Sequence, residues 1–306
     1  MTLIINVTTP EGIVMASDSR QSQRNIKQYT RISTNSAKKL FALTDKVIVG
    51  IAGLAFFPNE DGIQTNVSKY IKAFSKSEKL DHLSVKDIAY KLHDYISDKY
   101  PWEKQLDISA QQLRVESEQK GAKVLSIEKS ANSIEFKIKQ ANGRIEEGHL
   151  NIEAIQILIS GYNKDGTCET YELRSPGQIS KKRGINDYGS TWVGQGDVVS
   201  RLILGYDSKM LNLPVFSKLS SQKNDLLQQL HGLEYNIQWS LMTLQDAIDL
   251  SVFLIRSTSM IQRYADGVNM DIGDIQGVGG PIDVAVITQE DGIEWITNQN
   301  LTIHDY

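Results

Sequence analysis

Apolar and polar positions along the chain fall into two rhythms. Leu3-Ile4-Ile5-Asn6-Val7 and Gly12-Ile13-Val14-Met15-Ala16 are nearly unbroken apolar runs on either side of a turn built from Pro10 and Gly12. Runs of that length between turn residues predict a hairpin of buried strands. The same reading gives a short strand over Leu40 to Leu43, a turn at Thr44 and Asp45, and a buried strand over Val47 to Ala52. Helical spacing follows. Val67, Tyr70, Ile71 and Phe74 share one face, and Ser84 with Asp87 resembles a capping box before Ile88, Leu92 and Ile96.

From about Gln105 to Gly148 the pattern becomes a charged, one-sided β excursion. Ile134, Phe136 and Ile138 alternate with Glu135, Lys137 and Lys139, and Asn142-Gly143 is a strong hairpin turn. Strands resume at "AIQILISGY" and "ETYEL", and "TWVGQGD" leads into a helix-like run from Val198 to Leu204. Leu226, Leu230, Leu233 and Ile237 fall on one helical face, and Thr243 with Asp246 caps a long helix. "PIDVAVIT", a turn at Asp291-Gly292 and "IEWIT" close the chain. Strands, helices, strands, helices and strands in segregated runs imply an α+β fold of antiparallel sheets covered by helices.

Composition removes several function classes. Lys plus Arg number 33 against 37 Asp plus Glu, a net charge of −4, so no basic excess points to nucleic acid. No apolar run reaches membrane-spanning length, since Arg256 interrupts "SVFLIRS". The first residues lack a signal-peptide layout, so a cytoplasmic location is expected. The single cysteine, Cys168, forms no internal disulfide and sits in a strand-like run as a small packed hydrophobe. His82, His93, His149, His231 and His304 are dispersed, so no metal site is expected. "GVGGP" at 277–281 lacks the Lys-Ser/Thr of a phosphate loop and reads as a turn.

One feature is left over. The buried-looking strand at Gly12 ends in Ser17-Asp18-Ser19-Arg20, which taken alone is a solvated turn. "GIVMASDSR", then "AKKLFALTDKVIVGIAGLA", then a capped helix before "GGPIDVAVI", together resemble the β subunits of proteasomes and their bacterial relatives, which are N-terminal-nucleophile hydrolases. The resemblance is closest over residues 2–55 and returns over about 155–205 and 243–298. It fades over about 105–150 and 207–240, read as a β-hairpin insertion and a helical insertion in one domain spanning 1–306. The fold it implies is a four-layer αββα sandwich, two antiparallel sheets flanked by helices.

The resemblance also implies roles for particular residues. Thr2 would be the nucleophile once Met1 is removed, and Asp18 stands at the family's sixteen-residue distance. Lys39, second of the Lys38-Lys39 pair, would be the catalytic lysine, and Gly53, fourteen residues on, the oxyanion glycine. Ser22 would belong to the substrate-aligning strand. Gln21, Ala37, Ile51 and Ala55 would form a largely apolar specificity pocket favouring hydrophobic side chains. Two departures stand out. Lys39 follows Asp18 by twenty-one residues, a hairpin about five residues longer than the family's. Gln195 replaces the serine of Gly-Ser-Gly; Asp274 is the candidate late aspartate, and Val278 stands where a serine is expected.

The chemistry explains the residue types. A threonine hydroxyl needs a base, and its own free α-amine, with an unperturbed pKa of about 7.7–8.0, can serve. A lysine ammonium would stabilise the developing alkoxide, an aspartate would keep it charged and aimed, and a glycine N–H would face the oxyanion, worth about 3–4 kcal/mol in comparable sites. The resemblance thus implies a threonine-type peptidase without metal or organic cofactor, acting on peptides or polypeptides. It further implies a homo-oligomeric ring, with an ATP-driven unfoldase as an optional partner. The alternatives are an amidase or acyl transferase on the same fold, or a non-catalytic assembly subunit.

Overall fold

The computed structural model describes residues 2–24, 30–59, 61–130, 132–207, 209–210, 213, 216, 223–265 and 275–298. The chain opens with β1 (Leu3–Thr9) and β2 (Gly12–Asp18), every residue of both buried. A polar ribbon follows, β3 (Gln21–Arg24) and β4 (Thr30–Thr34), then β5 (Leu40–Thr44) and β6 (Val47–Gly53) at the expected places. A small ribbon, β7 (Phe56–Pro58) and β8 (Gln64–Asn66), leads into α1 (Val67–Ser77), whose N-cap Asn66 accepts from the Ser68 N–H at 2.8 Å. Ser84 caps α2 (Val85–Lys99) as expected, its Oγ accepting from the Asp87 N–H at 3.1 Å.

The next segment departs from the β excursion read in the sequence. Trp102–Gln119 is helix α3, and strands begin only at β9 (Lys123–Ser130), β10 (Ser133–Lys139) and β11 (Ile145–Asn151). Then come β12 (Ile155–Tyr162), β13 (Cys168–Ser175), β14 (Ile179–Arg183), β15 (Gly189–Gly194) and α4 (Asp197–Leu204). Helix α5 (Lys223–His231) ends before Leu233 and Ile237, so the four-residue stripe is not one helix face. Helix α6 (Leu244–Tyr264) carries the expected capping box, and β16 (Ile282–Thr288) pairs with β17 (Gly292–Thr297).

The expected four-layer αββα sandwich is corrected by this inventory. Strand outweighs helix, 38% to 32%, and the strands are distributed over five sheets, three of them small. Two sheets have five strands, in the orders β15-β1-β2-β16-β17 and β14-β13-β12-β6-β5. The others are β11-β10-β9, β3-β4 and β7-β8. The physical reason is that backbone pairing needs no apolar face. Polar segments closed by a turn complete their hydrogen bonds with each other, and each such hairpin adds a sheet outside a two-sheet plan.

Apolar packing follows three main clusters. Val49, Ile157 and Ile159 pack with Ile71 and Phe74 of α1 and Ile88 and Leu92 of α2. Leu3, Ile5, Val14 and Val284 pack with Val199 of α4 and Leu254 and Ile255 of α6. Ile4, Ile13 and Met15 meet Leu40, Ile48 and Leu158. Side chains on the two faces of β1 therefore enter different clusters, which explains a strand buried on both sides. Among the described residues, no helix is long and apolar enough to cross a membrane.

Candidate active site

Asp18 is fully buried at the end of β2. Its Oδ1 accepts from the Leu3 N–H at 3.0 Å and from Lys39 Nζ at 2.7 Å. Its Oδ2 accepts from the N–H groups of Arg20 at 3.1 Å and Gly279 at 3.0 Å. Four donors on one carboxylate make the position a structural junction. It ties β1, the chain after β2, the start of β5 and the approach to β16 to one point.

Lys39 stands just before β5 and is 6% exposed. Besides Asp18, its ammonium donates to the Arg20 carbonyl at 2.7 Å. Burial is the largest influence on it and pushes its pKa below the usual lysine range. The carboxylates of Asp18 and Asp283 oppose that shift, and Arg20 adds to it. Asp283, buried on β16, is a second carboxylate near Lys39, and no local motif marks it.

Thr2 precedes β1 and is 7% exposed. Its carbonyl accepts from the Gln195 N–H at 2.8 Å. That approach requires Gly194, whose φ is +90° and whose added Cβ would lie 2.0 Å from the Thr2 oxygen. Gly53 ends β6 with φ +78°, and a Cβ there would lie 2.2 Å from the Ala154 oxygen. Both glycines are fixed by close backbone approach at the place where the strands meet Thr2.

Two cavities meet at Thr2 and Gly53. One, of about 300 Å³, is also lined by Lys39 and by Gln21, Ala37, Ile51 and Ala55. The other, of about 540 Å³, is lined by Gln156, Trp192, Gln195 and Asp197 among others. An extended chain laid across Thr2 has room on both sides. Ser22 is not among the lining residues; it pairs with Ile32 in the β3–β4 ribbon.

Gln195 sits beside Thr2, but its side-chain oxygen is engaged. Gln262, 5% exposed on α6, accepts at Oε1 from the N–H groups of Gly277 at 3.1 Å and Val278 at 2.8 Å. Those two donors fix its amide, so its Nε2 donates to Gln195 Oε1 at 2.9 Å. The Gln195 amide is thus tied to α6, whereas a serine hydroxyl at this position would rotate freely between donating and accepting. Val278 is buried against α6, and Asp274 lies outside the described residues.

Sequence reasoning missed Phe41, Lys72, Gln156 and Gln262. Phe41 had a signal: it lies two residues after Lys39, and strand pleating puts both on one side. Gln156, whose Oε1 accepts from the Gly194 N–H at 3.0 Å, and Gln262 come from elements far away in sequence, with no local mark. Among the described residues no group of three or more His, Cys, Asp or Glu is placed to hold a metal ion. No protein-family model matches the chain, and no curated protein matches it.

Proposed function

We propose that this chain is a threonine-type peptidase of the N-terminal-nucleophile kind, cleaving peptide bonds through a Thr2 acyl-enzyme once Met1 has been removed. The carrying observation is the buried Lys39–Asp18 pair at 2.7 Å, whose lysine lines one cavity with Thr2 and Gly53. In this reading the Thr2 α-amine takes the proton of its own hydroxyl, and Oγ1 attacks the peptide carbonyl carbon. The Lys39 ammonium offsets the developing negative charge, and the Gly53 N–H donates to the oxyanion. Collapse breaks the C–N bond, the leaving amine takes a proton, and water then hydrolyses the ester. Asp18 is a positioning residue for Lys39.

The proposal extends to a cytoplasmic homo-oligomeric ring acting on polypeptides. Phe253, Met260, Ile261 and Tyr264, all more than half exposed on α6, are apolar side chains that fit a contact between copies.

Turnover of fluorogenic peptides tests the chemistry. Thr2→Ala should remove it, and Lys39→Ala should lower kcat/KM by at least about 100-fold. Protein with Met1 retained behind an uncleaved N-terminal tag should also be inactive, because an amide nitrogen on Thr2 is not basic. Exposing Thr2 by cleavage of the tag should restore turnover. Full activity from either Thr2→Ala or the tagged form, with its mass verified, would leave Thr2 as an ordinary strand residue.

A further inference from the structure

The cavity that reaches Thr2 does not close behind its apolar wall. Lys38, Phe41 and Lys72 line it and also line an adjoining depression of about 320 Å³, which adds Lys76 and Trp295. The shared residues mark where the cleft continues away from Thr2. The Thr2 cavity has an apolar part, Ala37, Ile51 and Ala55, beside polar Gln21, Thr34 and Asn66; Lys38 and Lys72 on the shared wall and Lys76 in the depression add three ammonium groups.

Among the described residues, no carboxylate lines the cleft to neutralise those charges. Neither cavity has an aspartate or glutamate among its described lining residues, although acids outnumber bases 37 to 33 in the chain. Lys38, Lys72 and Lys76 form no ion pair among the described residues, whereas Lys91, Lys129, Lys137, Lys181 and Lys182 each have a carboxylate. Lys72 and Lys76 lie one turn apart on α1, a like-charge spacing that disfavours the helix slightly. Aromatic faces hold two of the ammoniums: Lys72 Nζ is 5.8 Å from the Phe41 ring centre, and Lys38 Nζ is 5.2 Å from that of Trp295. An anionic group entering here meets ammonium groups and, among the described lining residues, no carboxylate.

We infer that this cleft receives the carboxylate of an acidic side chain, so that the peptides recognised carry glutamate on the acyl side of the scissile bond. The inference rests on the reading of Thr2 as the nucleophile. The apolar side chains Ala37, Ile51 and Ala55 take the methylenes, and Lys38 and Lys72 take the charge. This replaces the hydrophobic preference that Gln21, Ala37, Ile51 and Ala55 alone implied.

The test separates recognition from chemistry. Three otherwise identical peptides with Glu, Leu or Lys at the acyl-side residue are titrated calorimetrically against the Thr2→Ala protein, and their turnover is measured with the processed enzyme. The Glu peptide should bind at least about tenfold more tightly than the Lys peptide and more tightly than the Leu peptide. The margin should shrink between 0.05 and 0.5 M salt, because opposite charges attract and salt screens them. Lys72→Gln with Lys38→Gln should abolish the preference, and Lys72→Glu with Lys38→Glu should reverse it towards the Lys peptide. Lys123→Glu on exposed β9, which changes the net charge as much as the double glutamine variant does, should leave the order unaltered. A Glu preference in binding without turnover of any peptide would uphold the cleft assignment and sink the peptidase reading. Equal binding of the Glu and Lys peptides, a Leu peptide that binds best, or no peptide binding overturns the inference.

Discussion

Lys39 shows what a single residue must have around it to work here. An ammonium 6% exposed has lost most of its hydration, and the loss is offset by a carboxylate and a carbonyl, each at 2.7 Å. Because burial still lowers its pKa in the folded state, folding holds fewer protons at this site than the unfolded chain does. The burial therefore costs stability at neutral pH, and the cost is released as pH rises through the window between the lowered value and the unfolded lysine value of 10.5. The proposed catalysis would run the other way. The proposed mechanism needs a neutral Thr2 amine and a charged Lys39, so kcat/KM should rise through about pH 7.7–8.0 and fall again on the alkaline side before the ordinary lysine range. Lys39→Arg keeps its charge at any accessible pH, so whatever activity survives should lose that alkaline fall. A pH–rate profile of both proteins decides it: an alkaline limb that stays put in the arginine variant belongs to another group.

At the scale of elements, legibility followed burial. β1, β2, β5 and β6 could be read because their apolar runs are covered and their turns are marked by Pro10, Gly12, Thr44 and Asp45. The caps of α2 and α6 could be read because a capping box is written within four residues. Helix α3 could not: of its eighteen residues only Leu106, Ala110 and Ser117 are buried, too few to show a period. The polar ribbon β3–β4 has no buried face either, so only the resemblance, and not the apolar pattern, implied a hairpin there with Ser22 in a strand. Helix α6 shows how separable the two ends of one element are. Thr243 Oγ1 accepts from the Asp246 N–H at 3.2 Å, while Gln262 holds Gln195 nineteen residues on, about 28 Å along the axis. Thr243→Ala should therefore lower Tm by about 2–4 °C and leave kcat/KM within about twofold. Gln262→Leu strands the Gly277 and Val278 N–H groups and releases Gln195, so it should lower both. Calorimetry alongside peptide turnover reads the contrast, and a cap variant that loses activity would mean the helix start is coupled to the site.

For the whole molecule, the question is which of the five sheets the site requires. Thr2, Asp18, Lys39 and Gly53 are carried by or beside β1, β2, β5 and β6, all in the two five-stranded sheets. The β9–β11 sheet and α3 form a unit of their own around Leu106, Ala110 and Ile134, with Trp102, Ile127 and Ile152 packed on it. Trp102 and Ile152 also pack on the larger cluster beneath α1 and α2, so they form the seam. The two ends of the excursion are tied across that seam, where the Tyr100 hydroxyl donates to the Glu153 carbonyl at 2.8 Å. Cutting outside the seam preserves what the main body uses. Deleting residues 103–151 and joining Trp102 to Ile152 through a short Gly-Ser linker should give a folded protein, because loop closure over so short a distance is cheap and no buried side chain of the larger clusters is removed. Its Tm should fall by no more than about 5 °C, and peptide turnover should stay within about threefold of the intact chain. The excised unit also exposes Ile108, Leu125, Ile145 and Leu150, apolar residues that a contact with another chain would cover. If the unit serves assembly, native mass spectrometry of the deletion protein should show a smaller oligomer at undiminished small-peptide turnover. An insoluble product, or a soluble one without turnover, would instead make the third sheet part of the scaffold that holds Lys39 against Asp18.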